Sequence, residues 1–234
     1  MTQSLNLDGM VDRAAFFSHE HQLHLVDVAD GFGEHRFQVD FDAGTLDFIG
    51  ERLLLRTAAG LLGSASEDVG TWLWGWANRA SFAPEVTAFG ERIAQFGREH
   101  GVRELVEPEL RLTPDIAARL VDAAKLITGR WTSYSGQAGP GLRTYLLIEA
   151  PELALPVPSV HRSVRVIGEV LGSGLIRDHQ LALLSYAELR GLRAGTGSDG
   201  RSVRVWLPDG HLTVEFDQFG RIGGMTAEAV PAAV

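Results

Sequence analysis

A chain of 234 residues with 45% hydrophobic residues is long enough for one large domain or two small ones and can bury a sizeable core. Its net charge of −9 supplies no positive field for nucleic acid. The absence of cysteine excludes disulfides, thiolate metal sites and a cysteine nucleophile. The polar first ten residues do not read as a signal peptide, and no apolar run reaches the ~18 residues of a membrane span.

Asp8 reads as the cap of a first helix over 8–30, with Val11, Ala14, Phe17, His21, Leu25 and Val28 at helical spacing. Residues 37–42 alternate, Phe37, Val39 and Phe41 against Gln38, Asp40 and Asp42. The chain turns at Asp42-Ala43-Gly44 and returns over 45–49. A third apolar stretch over 52–62, a turn at 64–70 and Thr71-Trp72-Leu73-Trp74-Gly75-Trp76-Ala77-Asn78 complete a meander of four antiparallel strands under the first helix.

Pro84 opens a helix with Val86, Phe89, Ile93 and Phe96 as its buried stripe, stopped by Gly101. Thr113 caps another, with Pro114 and Asp115 in its first turn, and Gly129 ends it. A hairpin of 131–135 and 142–149 follows. Residues 159–171 and a segment ending at Arg190 form two further helices, separated by Gly172-Ser173-Gly174. Three strands, 203–207, 211–216 and 221–225, close the chain.

Helices and strands come in blocks, which favours an α+β fold of antiparallel meander sheets packed against helices. The division expected is an α+β domain over 1–150, a Pro-rich linker over 151–158, and a helical pair with a three-stranded antiparallel sheet over 159–234 packed on the first domain. A helix followed by a hairpin occurs in both halves. That order fits two similar lobes, although the motif is also common by chance.

The chemical motifs are weak. Gly195-Thr196-Gly197-Ser198-Asp199-Gly200 matches G-x-G-x-x-G, but a helix precedes it and a strand follows, the reverse of a dinucleotide site, so a flexible loop is expected. His19-Glu20-His21-Gln22-Leu23-His24 fails the H-E-x-x-H spacing because Leu23 stands at the second histidine position. His21 and His24, with His35 as a third, are weak metal candidates, set against the simpler reading of an exposed helix edge. Asp40, Asp42 and Asp47 could hold a cation or do acid–base work, but Asp42 is also a turn opener. Glu67 and Asp68 are equally ambiguous. No G-x-S-x-G, S-x-x-K or Walker A pattern occurs, and no cofactor is implied.

Three of the five tryptophans lie at alternate positions, which on a strand puts Trp72, Trp74 and Trp76 on one face. Large aromatics at this spacing usually fill cores. The alternative is a groove whose ligand- or partner-binding residues are Trp72, Trp74, Trp76, Asn78 and Arg79.

Leu62-Gly63-Ser64 and Gly70-Thr71-Trp72-Leu73-Trp74-Gly75-Trp76-Ala77-Asn78, with Val39-Asp40, Leu46-Asp47-Phe48, Tyr134 and Tyr145, resemble an uncharacterised bacterial domain-of-unknown-function family with a G-T-W-x-W-x-W-A-N signature. The resemblance covers about residues 10–150 and implies no activity and no catalytic residues.

The reading that best fits is a non-enzymatic, soluble, cytoplasmic bacterial protein. It binds a small ligand or a protein partner, a basic one being favoured by the acidic charge, and neither nucleic acid nor membrane. The alternatives are a hydrolase using Asp40 or His21 beside the tryptophans, and an assembly subunit.

Overall fold

The computed structural model describes residues 5–78, 82, 84–198 and 200–229. It is an α+β protein: the described residues form five α-helices and eleven strands, every strand pair antiparallel. No helix among the described residues is long and apolar enough to cross a membrane. Two compact units divide the chain. One holds the chain up to Leu7 and His21–Ala154; the other holds Asp8–Glu20 and the chain from Leu155. The first helix, α1 (Leu7–Asp30), therefore contributes its second half to one unit and its first half to the other, a split not anticipated by the expected division at 1–150.

The first unit is built on β1 (His35–Asp40), β2 (Thr45–Gly50), β3 (Leu54–Ser66), β4 (Thr71–Trp74) and β5 (Glu109–Arg111), with β6 (Thr132–Gly139) and β7 (Leu142–Glu149). The long β3 organises the sheet. Ala58 is paired with both Thr45 of β2 and Glu149 of β7, and Gly63–Ser66 with both β4 and β7. So β2 and β4 share one edge of β3 and β7 takes the other, and the sheet curls around a core of Leu46, Phe48, Leu55, Leu61, Leu146 and Ile148. Leu25 of α1 enters this core. Beside it, Gln22 behaves like a neighbouring strand toward β6. Its Oε1 accepts from the Ser133 amide at 2.9 Å, and its Nε2 donates to the Ser133 carbonyl at 3.0 Å.

The expected β1–β2 hairpin forms, turning through Asp42-Ala43-Gly44 and returning from Thr45, with only its first strand lying two residues earlier than its sequence pattern suggests. Asp40 secures that turn: its Oδ1 accepts from the amides of Asp42 and Ala43, both at 2.9 Å. Asp47 is engaged elsewhere, in a two-point contact with Arg56 at 2.9 and 2.7 Å that holds its carboxyl below the usual range. The three aspartates therefore do not converge.

Helices α2 (Pro84–His100) and α3 (Ile116–Thr128) follow the expected periodicity, and Gly101 and Gly129 end them in the left-handed region. Asp115 rather than Thr113 takes the N-cap position of α3, without a side-chain capping bond, and the Thr113 hydroxyl donates to its carboxylate at 3.1 Å.

The second unit comprises the first half of α1, α4 (Val160–Leu171), α5 (His179–Leu189), and the sheet β11-β10-β9-β8. Ser159 and Asp178 cap the two helices. The sheet has four strands, not three: β8 (Arg193–Thr196) precedes β9 (Ser202–Leu207), β10 (Gly210–Phe216) and β11 (Ile222–Ala229). The start of the glycine-rich stretch is thus strand rather than loop. Gly195 lies beneath Trp206, where a Cβ would come within 3.2 Å of the indole, and Arg193 stacks over that ring at 4.5 Å. Asp199, within this stretch, lies outside the described residues.

Glu20, fully buried, is the electrostatic centre of the second unit. Its carboxylate lies 3.0 Å from Arg190 Nε and 3.6 Å from Arg162 Nε, and accepts from the Tyr186 hydroxyl at 3.0 Å.

Candidate functional site

The tryptophan strand is shorter than its spacing suggests. Trp72 and Trp74 lie on β4, but Gly75–Ala77 is a 3-10 turn closed by the Asn78 amide donating to the Gly75 carbonyl at 3.2 Å. The cause is Gly75, whose backbone approaches Leu61 so closely that a Cβ would sit 2.4 Å from its carbonyl oxygen. Trp76 therefore leaves the row. It is half-buried against Gly90 of α2, where a glycine Cβ would lie 3.0 Å from the tryptophan Cβ. Asn78 is half-buried, and Arg79 lies outside the described residues. Trp72 and Trp74 have no exposed surface at all and meet edge to face at 5.5 Å. Neither offers a face to a ligand.

The sheet face continues beyond them. Trp72 is opposite Ala65, which is opposite Arg143; Trp74 is opposite Gly63, which is opposite Tyr145. The small residues of β3 let the Trp72 ring reach Tyr145, with ring centroids 5.0 Å apart. Past Tyr145 the face opens into a cavity of about 430 Å3, lined by Glu67, Arg143 and Tyr145 with Leu112, Thr113 and Ala117. Burial pushes the Tyr145 phenol above its ordinary range; Arg143 opposes this shift and Glu67 adds to it. The phenol is thus a neutral donor at physiological pH, within electrostatic reach of one cation and one anion.

A second cavity, of about 380 Å3, is lined by His21, Trp131, Thr132 and Glu149 among others. His21 stacks on Trp131, and Thr132 Oγ1 lies 3.3 Å from His21 Nδ1. Glu149 is held by Arg130 at 2.7 Å.

The histidine cluster of α1 disperses around the helix. His19 pairs with Glu169 at 2.8 Å, Glu20 with Arg190, and His21 with Trp131, while His24 Nε2 is buried without a hydrogen-bond partner. His35 sits on β1 among Phe32, Phe37 and Phe48. Among the described residues, no group of three His, Asp or Glu side chains is placed to hold a metal ion.

The sequence reading did not single out Arg143. Its signal was the alternation Arg143, Tyr145, Leu147, which marks one face of β7, but nothing local says that this face meets Glu67 and Thr113 from distant segments.

Residues 8–151 match the model of a family of unknown function, DUF6882, and the chain belongs to that family. No curated protein and no solved structure matches the chain.

Proposed function

We propose that the first unit is a binding module for a small amphipathic zwitterion of amino-acid or dipeptide size, and that the chain is non-enzymatic. The observation that carries this reading is the cavity beside Tyr145, whose volume suits a small molecule. In it Arg143 would take a carboxylate, Glu67 an ammonium group, and Leu112 and Ala117 the apolar part. Trp72 serves as the rigid wall behind Tyr145. The acidic charge and the absence of cysteine support a cytoplasmic bacterial setting with no nucleic-acid partner. A protein partner, if one engages the chain, would be basic.

The test is calorimetric titration with a panel of free amino acids and dipeptides. Binding that is lost in Arg143→Ala and weakened in Glu67→Gln supports the reading. A panel in which nothing binds sinks it.

One observation favours a second reading, a hydrolase: the Thr132 hydroxyl and the His21 imidazole adjoin at 3.3 Å in the second cavity. It does not draw on Asp40, which is committed to its turn. Esterase activity that disappears in both Thr132→Ala and His21→Gln would support it.

A further inference from the structure

Strand β1 is hydrogen-bonded only to β2, and its outer edge carries no strand among the described residues. Every residue of β1 after His35 is exposed, including Phe37 at 52% and Val39 at 37%. The other free edges of this sheet differ. Gln22 occupies the β6 edge at Ser133, and β5 is three residues long. Phe37 and Val39 lie on the core face, where Phe37 touches Phe48 and Tyr134, yet both stay partly open beside the unpaired edge. An exposed six-residue edge of this kind is a template for another strand.

The sequence of β1 identifies that strand. His35-Arg36-Phe37-Gln38-Val39-Asp40, laid antiparallel on a second copy about Gln38, sets Arg36 opposite Asp40, Phe37 opposite Val39, and Gln38 opposite itself. Each charge meets its opposite and each apolar residue meets an apolar one. Edges that repel copies of themselves carry like charges in this register; β1 carries the reverse. The alternation also keeps Phe37 and Val39 on the face shared with Phe48 and Leu46, so the apolar surface would run unbroken from one copy to the next. Arg36 makes no ion pair within the chain among the described residues, and the Asp40 carboxylate is held in place by the amides of its turn.

We propose that β1 is a homodimer interface, with two copies joined edge to edge across a two-fold axis at Gln38. Such an interface is isologous, as a closed dimer requires. Phe37 and Val39 would then be covered, and the occupant is a second copy of this chain rather than an unrelated peptide.

Three measurements test it on the full chain. Sedimentation should give twice the 25.4 kDa chain mass at tens of micromolar. Because the chain has no cysteine, Gln38→Cys introduces a single thiol. That variant should form a covalent dimer under mild oxidation, whereas Gln137→Cys, on exposed β6, should not. Arg36→Glu should raise the dimer dissociation constant about tenfold or more. Mixing Arg36→Glu with Asp40→Arg should restore a dimer, because both cross-strand pairs are again opposite in sign. Should Asp40→Arg fail to fold, as circular dichroism would show, the thiol cross-link decides. A native chain that sediments as a monomer at all concentrations, or equal cross-linking at positions 38 and 137, overturns the proposal.

Discussion

The indole of Trp72 occupies the space that a side chain on Gly63 would need. A Cβ at Gly63 would lie 2.7 Å from Trp72 Cζ2 and 2.6 Å from the Leu73 carbonyl oxygen. The second contact is with backbone, so no rotamer change relieves it. Gly63→Ala should therefore push β3 and β4 apart and cost roughly 2–4 kcal/mol, as overpacking at a fixed backbone does. Urea unfolding measures it. A loss below about 0.5 kcal/mol, the range of ordinary surface substitutions, would show that the strands separate freely.

The glycine in Leu62-Gly63-Ser64 and the first tryptophan of the following strand are one packing unit. Composition and alternation made much of the first unit legible: α2, α3, the β1–β2 hairpin and the buried stripe of Val86, Phe89 and Ile93 all follow from local pattern. What local pattern missed depends on distant partners. Trp76 leaves its strand because Gly75 approaches Leu61, and Gly195 joins a strand because Trp206 covers it. The cavity beside Tyr145 draws on β3, β7 and the segment entering α3, a convergence that no window of sequence reports.

The chain's only lysine is buried. Lys125 is 1% exposed, and its Nζ donates to Gln22 Oε1 at 3.2 Å. Burial pulls its pKa from 10.5 down to about 8, with Asp122 opposing the shift. A lysine whose folded pKa is depressed binds fewer protons folded than unfolded between the two values. Stability should therefore rise with pH from about 8 to 10.5, by an amount on the order of 3 kcal/mol from this group alone. Lys125→Met should stabilise the chain at pH 7 by roughly 1–3 kcal/mol and flatten that rise. Gln22 Oε1 would still accept from the Ser133 amide and hydroxyl. Denaturant titrations of both proteins at pH 7, 9 and 10 isolate the effect, since the tyrosines titrate in both alike. Identical pH profiles would count against it.

In the second unit, the Glu20 carboxylate faces both Arg162 and Arg190. Replacing it with Gln keeps its shape but removes the charge that these two guanidinium groups share. Breaking a buried ion pair from one side typically costs about 3–5 kcal/mol. Tyr186, whose phenol burial pushes well above its ordinary range, would be left with at best a neutral amide oxygen in place of its carboxylate acceptor. Glu20→Gln should thus lower the midpoint of thermal unfolding markedly. Glu169→Gln, on the exposed face of the same unit, should change it little. Similar shifts for the two variants would mean that Glu20 is not the organising charge.

Trp72 and Trp74 are equally buried but differ in one bond. Trp74 Nε1 donates to the Glu104 carbonyl at 3.0 Å, whereas Trp72 Nε1 is buried without a hydrogen-bond partner. Replacing either with Phe removes similar packing, about 1–3 kcal/mol. Only Trp74→Phe also strands a carbonyl, and only Trp72→Phe removes an unsatisfied donor, which offsets part of its packing loss. Trp74→Phe should therefore be the more destabilising by about 1–2 kcal/mol. The difference is read from paired urea unfolding curves with equal m-values. Because Trp72 backs Tyr145, its replacement should also loosen the cavity wall, so that any ligand held by Arg143 binds more weakly to Trp72→Phe than to Trp74→Phe, the reverse of the stability order. That reversal separates the two jobs of the tryptophan strand: one ring anchors β4 to the segment at Glu104, and the other supports the site.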